Sequence, residues 1–113
     1  MRMSLHRLAA ALGLLALTAT AAGAARADAA IEQGRALAQR HCARCHAISG
    51  PGPSQVRKAP PFSGLARRWS LEDIAEALAE GIVVGHGTVR MPEFAFEAAQ
   101  IDNLLAYLGS VQR

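Results

Sequence analysis

Hydrophobic positions fall along this chain first as one unbroken block and then as three spaced stripes. The block is residues 8–23, an uncharged run of Leu, Ala, Thr and Gly behind Arg2 and Arg7. Beyond it, Ile31, Gly34, Leu37, Ala38 and His41 share one face at helical spacing, with Glu32, Arg35 and Gln39 outside, which predicts a helix over 31–40. The second stripe is Leu71, Ile74, Ala75 and Leu78. It follows Ser70-Leu71-Glu72-Asp73, a serine cap with a carboxylate three residues on, and it stops near Glu80 at Gly81. The third is Ile101, Leu104, Leu105 and Leu108 in a helix from about Ala98 to Val111, with Asp102, Asn103 and Gln112 outside and Tyr107 within reach. Between the stripes, residues 49–61 carry Gly50-Pro51-Gly52-Pro53 and Pro60-Pro61 and read as loop. Residues 81–90 are a second irregular stretch, with Gly85-His86-Gly87 marking a turn. Ile82-Val83-Val84 is the nearest approach to a strand, and it is short. The fold class expected is all-α.

The leading block changes the meaning of length and charge. Its basic start, its short apolar run and the small residues of Ala25-Arg26-Ala27 read as a secretory signal peptide over 1–27, cut before Asp28. A retained anchor fits less well, because a span takes ~20 strongly apolar residues and this run is short and alanine-rich. One domain, 28–113, is left. The net charge of +3 goes with the leader: three of twelve basic residues leave, and nine remain against nine acids. A basic pI is therefore no argument for nucleic acid. What remains is asymmetry, with seven basic residues and two acids up to Leu71, then two basic residues and seven acids. Either this gives the molecule two faces of opposite sign that orient a partner, or the halves interleave and cancel.

The chemistry is concentrated in His41-Cys42-Ala43-Arg44-Cys45-His46, which contains Cys-x-x-Cys-His, the c-type haem attachment signal. Two thiols three residues apart can each form a thioether to one edge of a haem. The histidine that follows is then held beneath the iron as an axial ligand. A thioredoxin-like pair would need a strand and a βαβ context that the flanks do not offer. A zinc site could draw Cys42, Cys45 and two of His41, His46 and His86. A small disulfide is the third alternative. For a domain this small, a covalently held haem is also the natural hydrophobic centre.

Other residues take roles around that motif. Pro60 or Pro61 can offer a carbonyl to the far nitrogen of His46, which would orient the imidazole and strengthen it as a donor. Phe62 and Leu65 are expected to face the haem, or else to sit in a core that never touches it. Trp69, the only tryptophan, suits a haem propionate with Arg67 or Arg68 nearby, or serves as a hydrophobic staple. Met91 lies outside any helical stripe, next to Pro92, and its soft sulfur is the expected sixth ligand, with His86 as its rival. Gly34, at ~1 kcal/mol cost in a helix interior, marks a close approach of another backbone or ring. His41 reads as a surface residue.

Taken together these residues resemble the class I c-type cytochromes, over nearly all of 28–113. In that family a glycine eight positions before the first cysteine packs on an aromatic of the C-terminal helix; the matching residues are Gly34 and Tyr107. The family's proline, whose carbonyl binds the ligand histidine, matches Pro60, with Phe62 behind it, and its loop methionine matches Met91-Pro92. Where the family has a bulky aromatic four residues before the first cysteine, this chain has Ala38, so the contact between the end helices is expected to be thinner, or filled by Leu37 or a residue from elsewhere. The pattern is unlike cytochromes c′, whose motif lies in the last helix.

The resemblance implies a cytochrome c fold of three to four helices around one covalently bound haem c, with Cys42, Cys45, Pro60, Phe62 and Trp69 holding the cofactor and His46 and Met91 the iron. It implies single-electron transfer in the periplasm rather than enzymatic turnover. The expected partners are redox proteins: a donor dehydrogenase, or an acceptor oxidase or reductase. No nucleic acid, no stable membrane insertion after signal cleavage and a monomeric state are expected. Arg35, Arg40, Arg44, Arg57 and Lys58 are expected around an exposed thioether edge. A fixed subunit of a larger oxidoreductase is the second reading, and a haem peroxidase or gas-binding protein, with Met91 absent or labile at the iron, the third.

Overall fold

The computed structural model describes residues 4–81, 85–86 and 88–113, with side chains described at 20–81 and 88–113. The first helix, α1 (Ser4–His41), begins far ahead of residue 31. Alanine and leucine are the best helix formers, and no proline interrupts them, so nothing in the sequence ends the helix earlier. Its first part is not packed: residues 20–29 are all exposed. The stripe predicted for 31–41 is the face that is buried, through Gly34, Leu37 and Ala38. A short 3₁₀ helix (Phe62–Arg67) follows the proline-rich loop.

The second α-helix, α2 (Leu71–Glu80), has the ends its sequence specifies. The Asp73 amide donates to Ser70 Oγ at 3.0 Å, and the Ser70 amide donates to Asp73 Oδ2 at 3.2 Å. Gly81 closes the helix in the left-handed region at φ 82°, which a side chain would resist. Two-residue strands β1 (Gly85–His86) and β2 (Val89–Arg90) pair antiparallel, a small departure from the irregular segment expected. The last helix, α3 (Ala98–Ser110), stops one residue before Val111. Among the described residues no helix is long and apolar enough to cross a membrane.

The core lies where α1 and α2 both pack on α3. Ile101, Leu104, Tyr107 and Leu108 of α3 meet Ala38, Cys42, Phe62, Leu65 and Leu78 there, with Leu71, Ile74 and Ala75 at the margin. At Gly34, a Cβ would collide with the Asn103 carbonyl and lie 2.8 Å from Tyr107 Cβ. The close approach expected at this glycine is thus made to backbone as well as to the aromatic residue. Ala38 is fully buried within the central cluster, whereas Leu37 is buried outside it and does not fill the place of a larger residue there.

Two residues expected outside α3 are engaged. Asn103 Nδ2 donates to Gln33 Oε1 of α1 at 2.8 Å. Gln112 ties the 3₁₀ helix to α3: its Nε2 donates to the Phe62 and Leu108 carbonyls, both at 2.7 Å, and its Oε1 accepts from the Ala66 amide at 2.8 Å. The Arg113 amide donates to the Ser63 carbonyl at 3.2 Å, and Arg67 Nη1 donates to the Arg113 carbonyl at 2.6 Å. Periodicity placed Gln112 outside because a helical wheel says nothing of a neighbouring segment's unpaired backbone groups.

Candidate functional site

The attachment motif is a continuation of α1. The Cys42 amide donates to the Ala38 carbonyl at 2.8 Å, and the Cys45 and His46 amides donate to the Cys42 carbonyl at 3.0 and 2.9 Å. This turn puts both cysteines and His46 on the inner side of the helix end, Cys42 and His46 buried and Cys45 half-buried. The following loop is held by the Val56 amide on the Cys45 carbonyl at 3.0 Å and by the Ala47 amide on Ser54 Oγ at 3.0 Å. The Phe62 amide donates to the Ala47 carbonyl at 2.9 Å, which brings the proline segment back beside the motif. There His46 Nδ1 donates to the Pro60 carbonyl at 2.8 Å. That bond puts the ring's proton on Nδ1, and Nε2 carries the lone pair. The Phe62 ring stands against the imidazole at 5.4 Å between centroids.

A cavity of about 250 Å³ opens beside these residues. Cys42, His46, Pro60 and Met91 all line it. Its walls are apolar: Phe62 and Leu65 from the 3₁₀ helix, Ile74, Ala77 and Leu78 from α2, Leu104 and Leu108 from α3. Trp69 lies at its rim, 46% exposed, so its indole is neither in an apolar core nor a covered staple. A smaller recess of about 50 Å³ lies alongside, lined by Cys45, Arg44, Val56, Val89, Pro92 and Phe94 among others. Cys42, His46 and Met91 line both spaces, so they mark where the two meet.

Of the residues singled out in the sequence, Cys42, His46, Pro60, Phe62, Trp69 and Met91 converge on the larger cavity, and Cys45 on the smaller recess. The side chain of His86, the rival ligand, lies outside the described residues. His41 is not a plain surface residue. Half-buried, it stands edge-on to Phe94 at 5.7 Å and to Phe96 at 5.4 Å, and these two rings stack at 5.3 Å. Leu104, Leu108, Ile74 and Leu78 are cavity-lining positions that their helical stripes mark as buried without saying what they face, and Ala77 lines the cavity although it lies outside the stripe. Of the five basic residues expected near the thioether edge, Arg44 lines the recess beside the cysteines, while Arg35 is paired with Glu32 at 2.7 Å.

The cysteines bear on the competing chemistries. They are free thiols, not a disulfide. Burial, and secondarily Cys45 beside it, pushes the Cys42 thiol up to about 11, whereas a thioredoxin-type nucleophile has its thiol lowered. Among the described residues, no three or more His, Cys, Asp and Glu side chains converge to hold a metal ion by themselves. An apolar cavity lined by Cys42, His46 and Met91, with Cys45 in the adjoining recess, instead fits a flat macrocycle that carries its own iron.

Comparison with known proteins gives the same answer. The family described as cytochrome c oxidase, cbb3-type, subunit III matches residues 29–108. The chain belongs to the c-type cytochromes. It is 31% identical over 99 residues to a cytochrome c-552 of Bradyrhizobium diazoefficiens, covering 88% of this chain and 89% of that protein. No solved structure matches. Membership implies haem c as cofactor and electron transfer with redox partners as the cytochrome's general role.

Proposed function

We propose that this cytochrome is an exported monohaem carrier of single electrons, with the haem tethered through Cys42 and Cys45 and its iron held between His46 and Met91. Haem c bound there supplies a one-electron couple between ferric and ferrous iron. The rest is the work of the chain. The Pro60 carbonyl fixes the His46 ring and makes its Nε2 a stronger donor. The Met91 sulfur, soft and weakly donating, favours the ferrous state and raises the potential relative to a second histidine. Phe62, Leu65, Leu78, Leu104 and Leu108 keep water from the slot. Were His46 and Met91 both to hold the iron, they would leave no place for a substrate to bind at the metal. Export rests on the leader over 1–27 and is supported by the family match, which starts at residue 29. The carrying observation is the His46–Pro60 bond at 2.8 Å in a cavity that Met91 also lines.

The test uses protein made by a host competent in haem attachment. The wild type should be red, keep its colour in acid acetone, show in ferric form the weak red-end band of methionine ligation, and fail to bind carbon monoxide when ferrous. Met91→Ala should lose the band, bind carbon monoxide at once and titrate at a lower potential. A colourless product, a zinc protein or an extractable haem would overturn the proposal. Stoichiometric co-purification with a catalytic chain would favour the fixed-subunit reading over a free carrier.

A further inference from the structure

The cluster of His41, Phe94 and Phe96 has no part in holding the cofactor, yet it joins two segments that do. His41 is the last residue of α1, one position before Cys42. Phe94 is three positions after Met91, with Pro92 stiffening the chain between them. The imidazole makes a T-shaped pair with each phenyl ring, at 68° to Phe94 and 76° to Phe96, the arrangement in which a positive ring edge meets a negative ring face. His41, Cys42, Met91, Pro92 and Phe94 line the same small recess. The Met91 segment otherwise has little to hold it: between Gly81 and α3 the backbone pairing among the described residues is the two-residue ladder of β1 and β2.

We propose that His41 is a positioning residue for the sixth ligand: its ring, clasped by Phe94 and Phe96, ties the methionine loop to the attachment turn and sets how readily the Met91 sulfur leaves the iron. The inference rests on Met91 being that ligand. It adds that an aromatic contact made from the attachment turn helps hold the methionine loop in place.

The test measures binding of exogenous imidazole to the ferric holoprotein, which requires the sulfur to let go, in the wild type, His41→Ala and His41→Phe. Thermal unfolding of each is measured in parallel. Losing two ring contacts should tighten imidazole binding in His41→Ala by about tenfold, with a weaker red-end band. His41→Phe keeps the ring edges and should restore both readouts. A core variant whose side chain lines neither the cavity nor the recess, Ile101→Val, serves as the control for general loosening and should leave imidazole affinity unchanged. If the wild type shows the band and His41→Ala binds imidazole as the wild type does, or no more tightly than Ile101→Val, the positioning role is wrong and the ligand assignment stands. If the wild type lacks the band and binds imidazole without competition, the ligand assignment fails and the positioning role with it.

Discussion

Gly34 shows how much one hydrogen atom in place of a methyl group can decide. In an exposed helix, alanine would be better than glycine by ~1 kcal/mol. Here the added carbon meets the backbone of Asn103, which cannot rotate away as a side chain could. Gly34→Ala should therefore destabilise the protein, by about 1–3 kcal/mol as for other overpacked cores, and denaturant unfolding will read this directly. Tyr107 is the companion residue. Its hydroxyl donates to the Ile48 carbonyl at 3.0 Å, so Tyr107→Phe should cost about 0.5–1.5 kcal/mol. Burial raises the phenol above the ordinary tyrosine value, with Arg35 opposing and Glu32 adding. The folded protein thus holds this proton to higher pH than the unfolded chain does. The stability it contributes is complete below the ordinary tyrosine value and is lost as pH rises through the folded one. In unfolding curves taken at increasing alkalinity, that loss should be present in the wild type and absent from Tyr107→Phe.

Among the elements, the 3₁₀ helix depends most on others. It carries Phe62 and Leu65 into the cavity, but its own hydrogen bonds are few, and Gln112 supplies two from outside while a third anchors the same side chain to the Leu108 carbonyl of α3. Gln112→Ala leaves the Ala66 amide and the Phe62 carbonyl to find water and should cost about 1–3 kcal/mol. Protection of the 3₁₀ helix amides in hydrogen exchange should drop before that of α3. The contrast with α2 shows what a sequence can announce. Ser70, Asp73 and Gly81 act within four residues of the ends they make, so α2 was legible to the residue. Cys-x-x-Cys-His was legible for a related reason, since its chemistry demands a spacing, whereas the residues left Pro60 and Pro61 both open and only the family resemblance pointed to Pro60. Gln112, His41 and the full length of α1 were not. Gln112 and His41 find their partners in distant segments, and local pattern says only that such residues are polar. In α1, helix propensity runs straight through the boundary at which a leader would be cut.

At the scale of the whole molecule, residues 20–29 contribute nothing to the core. Residues 20–29 are exposed, and the packed cluster begins at Ile31. A chain beginning at Asp28 should unfold within about 0.5 kcal/mol of one carrying the preceding residues, the range for surface changes away from special features. A larger loss on removing residues 1–27 would show that they pack on the domain.

The contact between Gly34 and Asn103 also governs when the chain can become a protein at all. The two positions lie near opposite ends of the domain, and joining such distant segments is the slow step of folding. While the polypeptide is being synthesised, Gly34 emerges long before its counterpart exists, so the early portion has nothing to close upon. If the chain is exported and modified as proposed, that condition would keep it threadable through a narrow pore and leave Cys42 and Cys45 within reach until the last helix arrives to shut the molecule.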